Sequence, residues 1–193
     1  MTLGKRVAVM RDGKVQQVDA PQRLYDEPTN LFVAAFIGSP SMNLVHGSVG
    51  ASGVRLGQFE VPLAPGPPAP RLDEPTIVGV RPEAFEDDDF APPDLPRIEA
   101  TGRVLEELGS DAYVFFHVQA DAVVVEDAQS TEEDEDATLF TQRDAALFAA
   151  RVDPRTKAQV GERIRLAIDP SRFYFFSPET GESLNGRSAR TAG

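Results

Sequence analysis

Along the first forty positions the apolar residues fall into two short runs and then two clusters with helical spacing. The runs RVAVMR and KVQQVD flank Asp12-Gly13. An Asp-Gly pair between such runs predicts a tight β-hairpin over Arg6 to Asp19. Pro21 then opens a short helix through Leu24 and Tyr25, because proline fits a first helical turn whose N–H has no partner to lose; Pro28 ends it. A second helix is expected from Asn30 as N-cap, carrying Leu31, Phe32, Ala35 and Phe36 until Gly38 and Pro40 stop it. A hairpin and two short helices hold too little apolar surface to fold alone. This stretch therefore reads as the end of a domain whose remainder is missing.

After Ser41 the pattern changes to short β-rich segments punctuated by Gly and Pro. Strands are expected at Asn43 to Ser48, Gly53 to Leu56, Thr76 to Val80, Glu99 to Glu107 and Asp111 to Val118, then at Ala122 to Glu126, Leu147 to Val152, Arg163 to Ile168 and Phe173 to Phe176. This spacing predicts a mainly β fold, a small barrel or sandwich. The strictest alternation runs through RIRLAI, a half-buried strand. Thr138 to Phe148 fits a short helix or two strand ends equally well. Three segments are expected to lack regular structure: the proline-rich Pro62 to Pro75, the acidic and proline-rich Glu86 to Pro96, and the carboxylate run Glu126 to Asp136. No internal repeat is present.

Charge narrows the functional classes. A net charge of −12, from 31 acidic and 19 basic residues, repels a phosphate backbone over most of the surface and argues against a nucleic-acid partner. The absence of cysteine removes disulfides, thiol catalysis and zinc-thiolate sites, and is compatible with the cytosol. The longest apolar stretch, Leu31 to Ile37, falls far short of the roughly 20 residues that cross a bilayer, and no charged-then-apolar leader opens the chain.

Local motifs for chemistry are scarce. His46 and His117 have no metal-ligand spacing, and no GxSxG nucleophile turn occurs. The acidic run lacks the alternate-ligand pattern of a calcium loop and reads as solvated. The PxxP patterns of Pro62 to Pro75 read as a spacer, and the FYFF run from Phe173 reads as core packing rather than base stacking.

A longer resemblance adds what these motifs do not. The string MTLGKRVAVMRDGKVQQVDAPQRLYDEPTNLFVAAFIGSPSMNL resembles the end of the nucleotide-binding domain in the maltose, trehalose and glycerol-phosphate ABC importer ATPases. GVRPE at Gly79 to Glu83, VLEELGSDAYV at Val104 to Val114 and SRFYFFSPETGE at Ser171 to Glu182 resemble the transport-associated OB domain appended to those enzymes. The resemblance implies an OB-type β-barrel regulatory domain over residues 41–185, preceded by a hairpin and two short helices (residues 1–40) left from an α/β ATPase domain. An acidic loop at 126–137 and a tail at 186–193 are expected to be flexible.

The same resemblance implies a division of labour. In the family the signature motif, the Walker B carboxylates and the switch histidine all lie before the position equivalent to Met1. No GxxxxGK[ST] loop occurs in this sequence either, so no cradle of backbone amides for a triphosphate is expected. The chain alone is accordingly expected to have no catalytic, metal or cofactor site, while ATP and Mg serve the full-length family. Implied partners are a second copy of the chain, the missing ATPase half and the permease subunits, at the cytoplasmic face of the membrane. Arg81, Glu106, Leu108, Gly109 and Phe176 lie in the matched motifs and are the candidate dimer or regulatory interface. Two departures are visible: Ala20 stands where relatives usually have a threonine N-cap, and Ser177 replaces the usual aspartate beside Phe176. A different class of function, an OB-type module binding a small oxyanion or sugar, fits the same fold. If the chain has lost a packing partner, its first forty residues are expected to exchange their amide protons readily.

Overall fold

The computed structural model describes residues 5–63, 74–123, 125 and 145–185. Strands β1 (Val7–Arg11) and β2 (Lys14–Asp19) form the expected hairpin. Its turn puts Asp12 and Gly13 at φ 48° and 72°, the left-handed pair that a two-residue hairpin loop requires. Helix α1 (Pro21–Asp26) follows, with Pro21 in its first turn and no side-chain bond from Ala20. Helix α2 (Leu31–Phe36) is capped by Asn30, whose side chain accepts from the Val33 N–H at 3.0 Å.

The rest is β. Strands β3 (Asn43–Val49), β4 (Val54–Leu56), β5 (Phe59–Val61), β6 (Pro75–Val80) and β12 (Phe173–Phe176) make one sheet in the order β12-β6-β3-β4-β5. The second sheet, in the order β10-β9-β8-β11-β7, contains β7 (Phe85–Asp87), β8 (Arg97–Glu107), β9 (Ala112–Val118), β10 (Ala146–Val152) and β11 (Arg163–Ile168). Their facing sides close over one core, in which Phe85, Phe116 and Phe148 meet edge-on with centroids 5.7–6.3 Å apart. The mainly β, OB-type fold is thus the observed one. Asn43 locks the sheets together at one corner: its amide donates to the Val80 and Ala149 carbonyls at 2.8 and 2.9 Å and accepts from the Ala149 N–H at 2.7 Å.

The β12-β6-β3 part of the first sheet is buried on both sides. Val45, Val78, Phe173 and Phe175 point into the main core, while the alternate residues Leu44, Ile77 and Phe176 enter a second core with Val9, Leu24, Phe32, Val33 and Met42. The hairpin and helices are therefore covered on one side, by the back of this sheet.

Other differences from the sequence reading are local. Strands β5 and β7 were not expected, and Glu86 and Asp87 pair in β7 with Ala167 and Leu166 of β11. Their carboxylates make this possible by accepting nearby donors: Glu86 takes the N–H groups of Asp87 and Asp153 at 2.8 and 2.7 Å, and Asp87 takes that of Asp89 at 3.0 Å. Pro75 begins β6, a position where proline forfeits little pairing. Ala122 makes only an isolated bridge to Val45 where a strand was expected. Residues 146–148 of the undecided segment join β10 (Ala146–Val152). Residues 138–144, the acidic loop at 126–137, most of the proline-rich spacer and the tail from 186 onward lie outside the described residues.

Candidate functional site

The seam between the hairpin-helix piece and the β domain is organised by one buried cation. Arg81 directly follows the largely apolar β6 and is only 1% exposed. Its two terminal nitrogens donate to the Tyr25 and Ile37 carbonyls, both at 2.7 Å. Tyr25 lies in the last turn of α1 and Ile37 is the C-cap of α2. One guanidinium therefore satisfies the carbonyl ends of both helices, where orphan acceptors and the negative pole of the helix dipole favour a cation. Gly38, at φ 125°, follows the second of these carbonyls, and a Cβ there would stand 3.0 Å from the Arg81 guanidinium. Only glycine leaves Arg81 its place.

Among the described residues no carboxylate forms an ion pair with Arg81. Its charge is met by the Tyr25 ring face, 3.6 Å away, and more distantly by Tyr174 at 5.7 Å. A chain of polar contacts carries the seam outward: the Tyr25 hydroxyl donates to Glu83 at 2.6 Å, and Glu83 also receives Arg172 at 3.2 Å. Burial, reinforced by the bond to Glu83, pushes the Tyr25 hydroxyl well above its ordinary range, and burial raises Tyr174 as well. The end of the chain closes over the same seam. Gly181 accepts the Leu31 N–H at 2.9 Å and Thr29 accepts the Ser183 N–H at 2.9 Å. Ser177, the departure noted beside Phe176, caps its own turn by accepting the Thr180 N–H at 3.2 Å.

The candidate interface residues separate into two groups. Arg81 and Phe176 are buried in the seam, so neither presents a surface to a second copy. Glu106, Leu108 and Gly109 sit together at the exposed tip of the long β8–β9 hairpin, with Leu108 65% exposed. The seam partners Tyr25, Glu83 and Arg172 were not among the sequence candidates. Their clue was a single arginine closing the apolar run TIVGV.

A second surface was also missed. Met10 and Val15 are paired across the first hairpin, and with Val18 on the same side they are exposed by 53%, 56% and 39%; on α2, Phe36 is separately 53% exposed. The sign of it was present in VAVM, a nearly continuous apolar run that asks for cover on both faces. Among the described residues no cluster of metal-ligating side chains occurs, and no helix is long and apolar enough to cross a membrane.

Comparison with known proteins places this geometry. Residues 38–85 match the family model described as the MalK OB fold domain. The chain is 38% identical to the trehalose import ATP-binding protein SugC of Mycobacterium tuberculosis, over 95% of this chain and 48% of that protein. It is 34% identical to the diacetylchitobiose uptake system ATP-binding protein MsiK of Streptomyces coelicolor, over 95% of this chain and 47% of the relative. Against the sn-glycerol-3-phosphate import ATP-binding protein UgpC 1 of Rhizobium johnstonii it is 29% identical, over 100% of this chain and 46% of the relative. The chain thus spans about half the length of the curated relatives it matches.

Proposed function

We propose that this chain, which belongs by similarity over 95% of its length with the ATP-binding subunits of sugar and glycerol-phosphate ABC importers, is the regulatory and dimerisation portion of such a subunit. The observation that carries the proposal is the pair of faces on the hairpin-helix piece. One face is sealed to the β domain by Arg81 and the second core. The other leaves Met10, Val15 and Val18 of the hairpin in solvent, an apolar strip of the sort that marks a protein contact. We assign that outer face to the catalytic half, which carries the phosphate loop, signature and Walker B carboxylates in this family.

In this reading the β domain is a rigid handle and the hairpin-helix piece is its coupling to the ATPase. A second copy is met at the β8–β9 tip, through Glu106, Leu108 and Gly109, and not through Arg81 or Phe176. The assembled subunit works beneath permease subunits at the cytoplasmic face of the membrane, where ATP and Mg belong to the catalytic half. Two measurements test this. Purified chain is expected to leave magnesium-ATP unhydrolysed, and steady turnover would refute the assignment. Sedimentation is expected to reveal a concentration-dependent dimer that Leu108→Asp weakens; a monomer at every concentration would remove the dimerisation role.

A further inference from the structure

Away from both surfaces just described, the outer side of the second sheet holds an open groove of about 400 Å³, a size that admits a small ligand. Arg103 and Arg163 line it, with His117, Thr101, Gln58 and Glu99. In a chain of net charge −12 this grouping is unusual, and neither arginine forms an ion pair with a described residue.

Three features indicate a built arrangement. First, Glu99, Thr101 and Arg103 alternate with the buried Ile98, Ala100 and Gly102, so regular strand geometry sets all three on the outer face of β8 that lines the groove. Second, Gln58 is fixed: its carbonyl oxygen accepts the Gln119 N–H at 2.7 Å, which leaves its NH₂ group as the donor. The turn before it is pressed so closely on Gln119 that Gly57, at φ 56°, has no room for a Cβ. Third, His117 lines the groove with its Nδ1 buried and without a hydrogen-bond partner. A buried unsatisfied nitrogen is costly unless it has a use.

We propose that this groove binds a tetrahedral oxyanion, a phosphate either free or carried on a small sugar, with Arg103 and Arg163 as its charged clamp and Gln58 and Thr101 as neutral donors. Guanidinium forks match a phosphate's oxygens and lose little by desolvation. Glu99 is the one opposing charge in the groove; its cross-strand neighbour Arg165 pairs with Asp88 at 3.1 Å. His117 reports on the occupant. Burial first, and then Arg103, hold its ring below the usual histidine range. An anion between the arginines reverses the second cause and raises the midpoint.

The test is a nuclear magnetic resonance titration of the whole chain with inorganic phosphate, glucose 6-phosphate and glucose. Saturable shifts at Thr101, Arg103 and His117 are expected with the two phosphates and none with glucose. Tighter binding of glucose 6-phosphate assigns the site to a phosphosugar, and equal binding assigns it to free phosphate. Arg103→Gln and Arg163→Gln are each expected to weaken binding by about tenfold or more. Glu99→Gln is expected to tighten it, a gain that misfolding cannot produce. The His117 midpoint is expected to rise on saturation. The proposal fails if neither phosphate gives saturable shifts, if glucose gives the same response, or if the arginine variants bind as the parent does.

Discussion

The two halves of the molecule treat their apolar residues differently. In the β domain nearly every large apolar side chain on the first sheet is covered, on one side by the main core and on the other by the second. In the hairpin-helix piece, Val9 and Leu24 are buried to 2% and 1% exposure while Met10 and Val15 next to them stand more than half exposed. A strand pair apolar on both faces but covered on one is incomplete as a folding unit. The β domain is stable by closure on itself, and the hairpin-helix piece depends on what it is fastened to.

The sharpest way to break this contrast is to damage the closed half. Phe148→Ala removes one ring of the aromatic trio and is expected to cost about 3–5 kcal/mol. Chemical denaturation should register the loss with both halves unfolding together, since the second core has no floor without the first sheet. Next in size is Arg81→Met, which leaves two helix-end carbonyls without their donor and is expected to cost about 2–4 kcal/mol. Here the comparison sharpens: hydrogen exchange should speed up in α1 and α2 while β8, β9 and β10 keep their protection.

Alkali probes the same seam more gently. The Tyr25 hydroxyl is held protonated by burial and by Glu83, so its folded-state pKa lies above the ordinary 10.0. The stability it contributes is complete below pH 10 and is lost as the pH climbs above that value. Tyr25→Phe should flatten this alkaline fall, measured as the unfolding midpoint against pH. The smallest effect is expected on the open face. Met10→Thr with Val15→Thr should change the stability of the isolated chain by no more than about 0.5 kcal/mol, because those side chains already stand in water. The same pair should abolish capture of a separately produced catalytic half, measured by co-purification.

Much of this contrast was readable from residue order. Asp12-Gly13, Pro21, Asn30 and Gly38 dictate the hairpin and both helices through turn and cap chemistry that is local. The alternation of RIRLAI and the β8 and β9 segments likewise announced a mainly β domain. Strands β5 and β7 were hidden because three residues carry no periodic signal, and their pairing depends on partners distant in sequence. The seam was hidden for a different reason. Leu44, Ile77 and Phe176 could be seen as apolar, but which face they occupy depends on the register of β3, β6 and β12. Arg81 looked like a surface residue by type, and only its place between two helix ends explains its burial. The groove was hidden because its lining comes from β8, β9, β11 and the turn between β4 and β5, which only the sheet pairing brings together.

The central claim is that the hairpin-helix piece is fastened to the β domain through Arg81 and the second core, with its other face left for a partner. Hydrogen exchange on the unmodified chain tests this most directly, followed amide by amide through β1, β2, α1 and α2. The account expects α2 and the Val9 side of the hairpin to be protected to nearly the level of β3 and β6, and to lose that protection in Arg81→Met. Exchange at the rate of an unstructured peptide throughout these elements in the parent chain would contradict it.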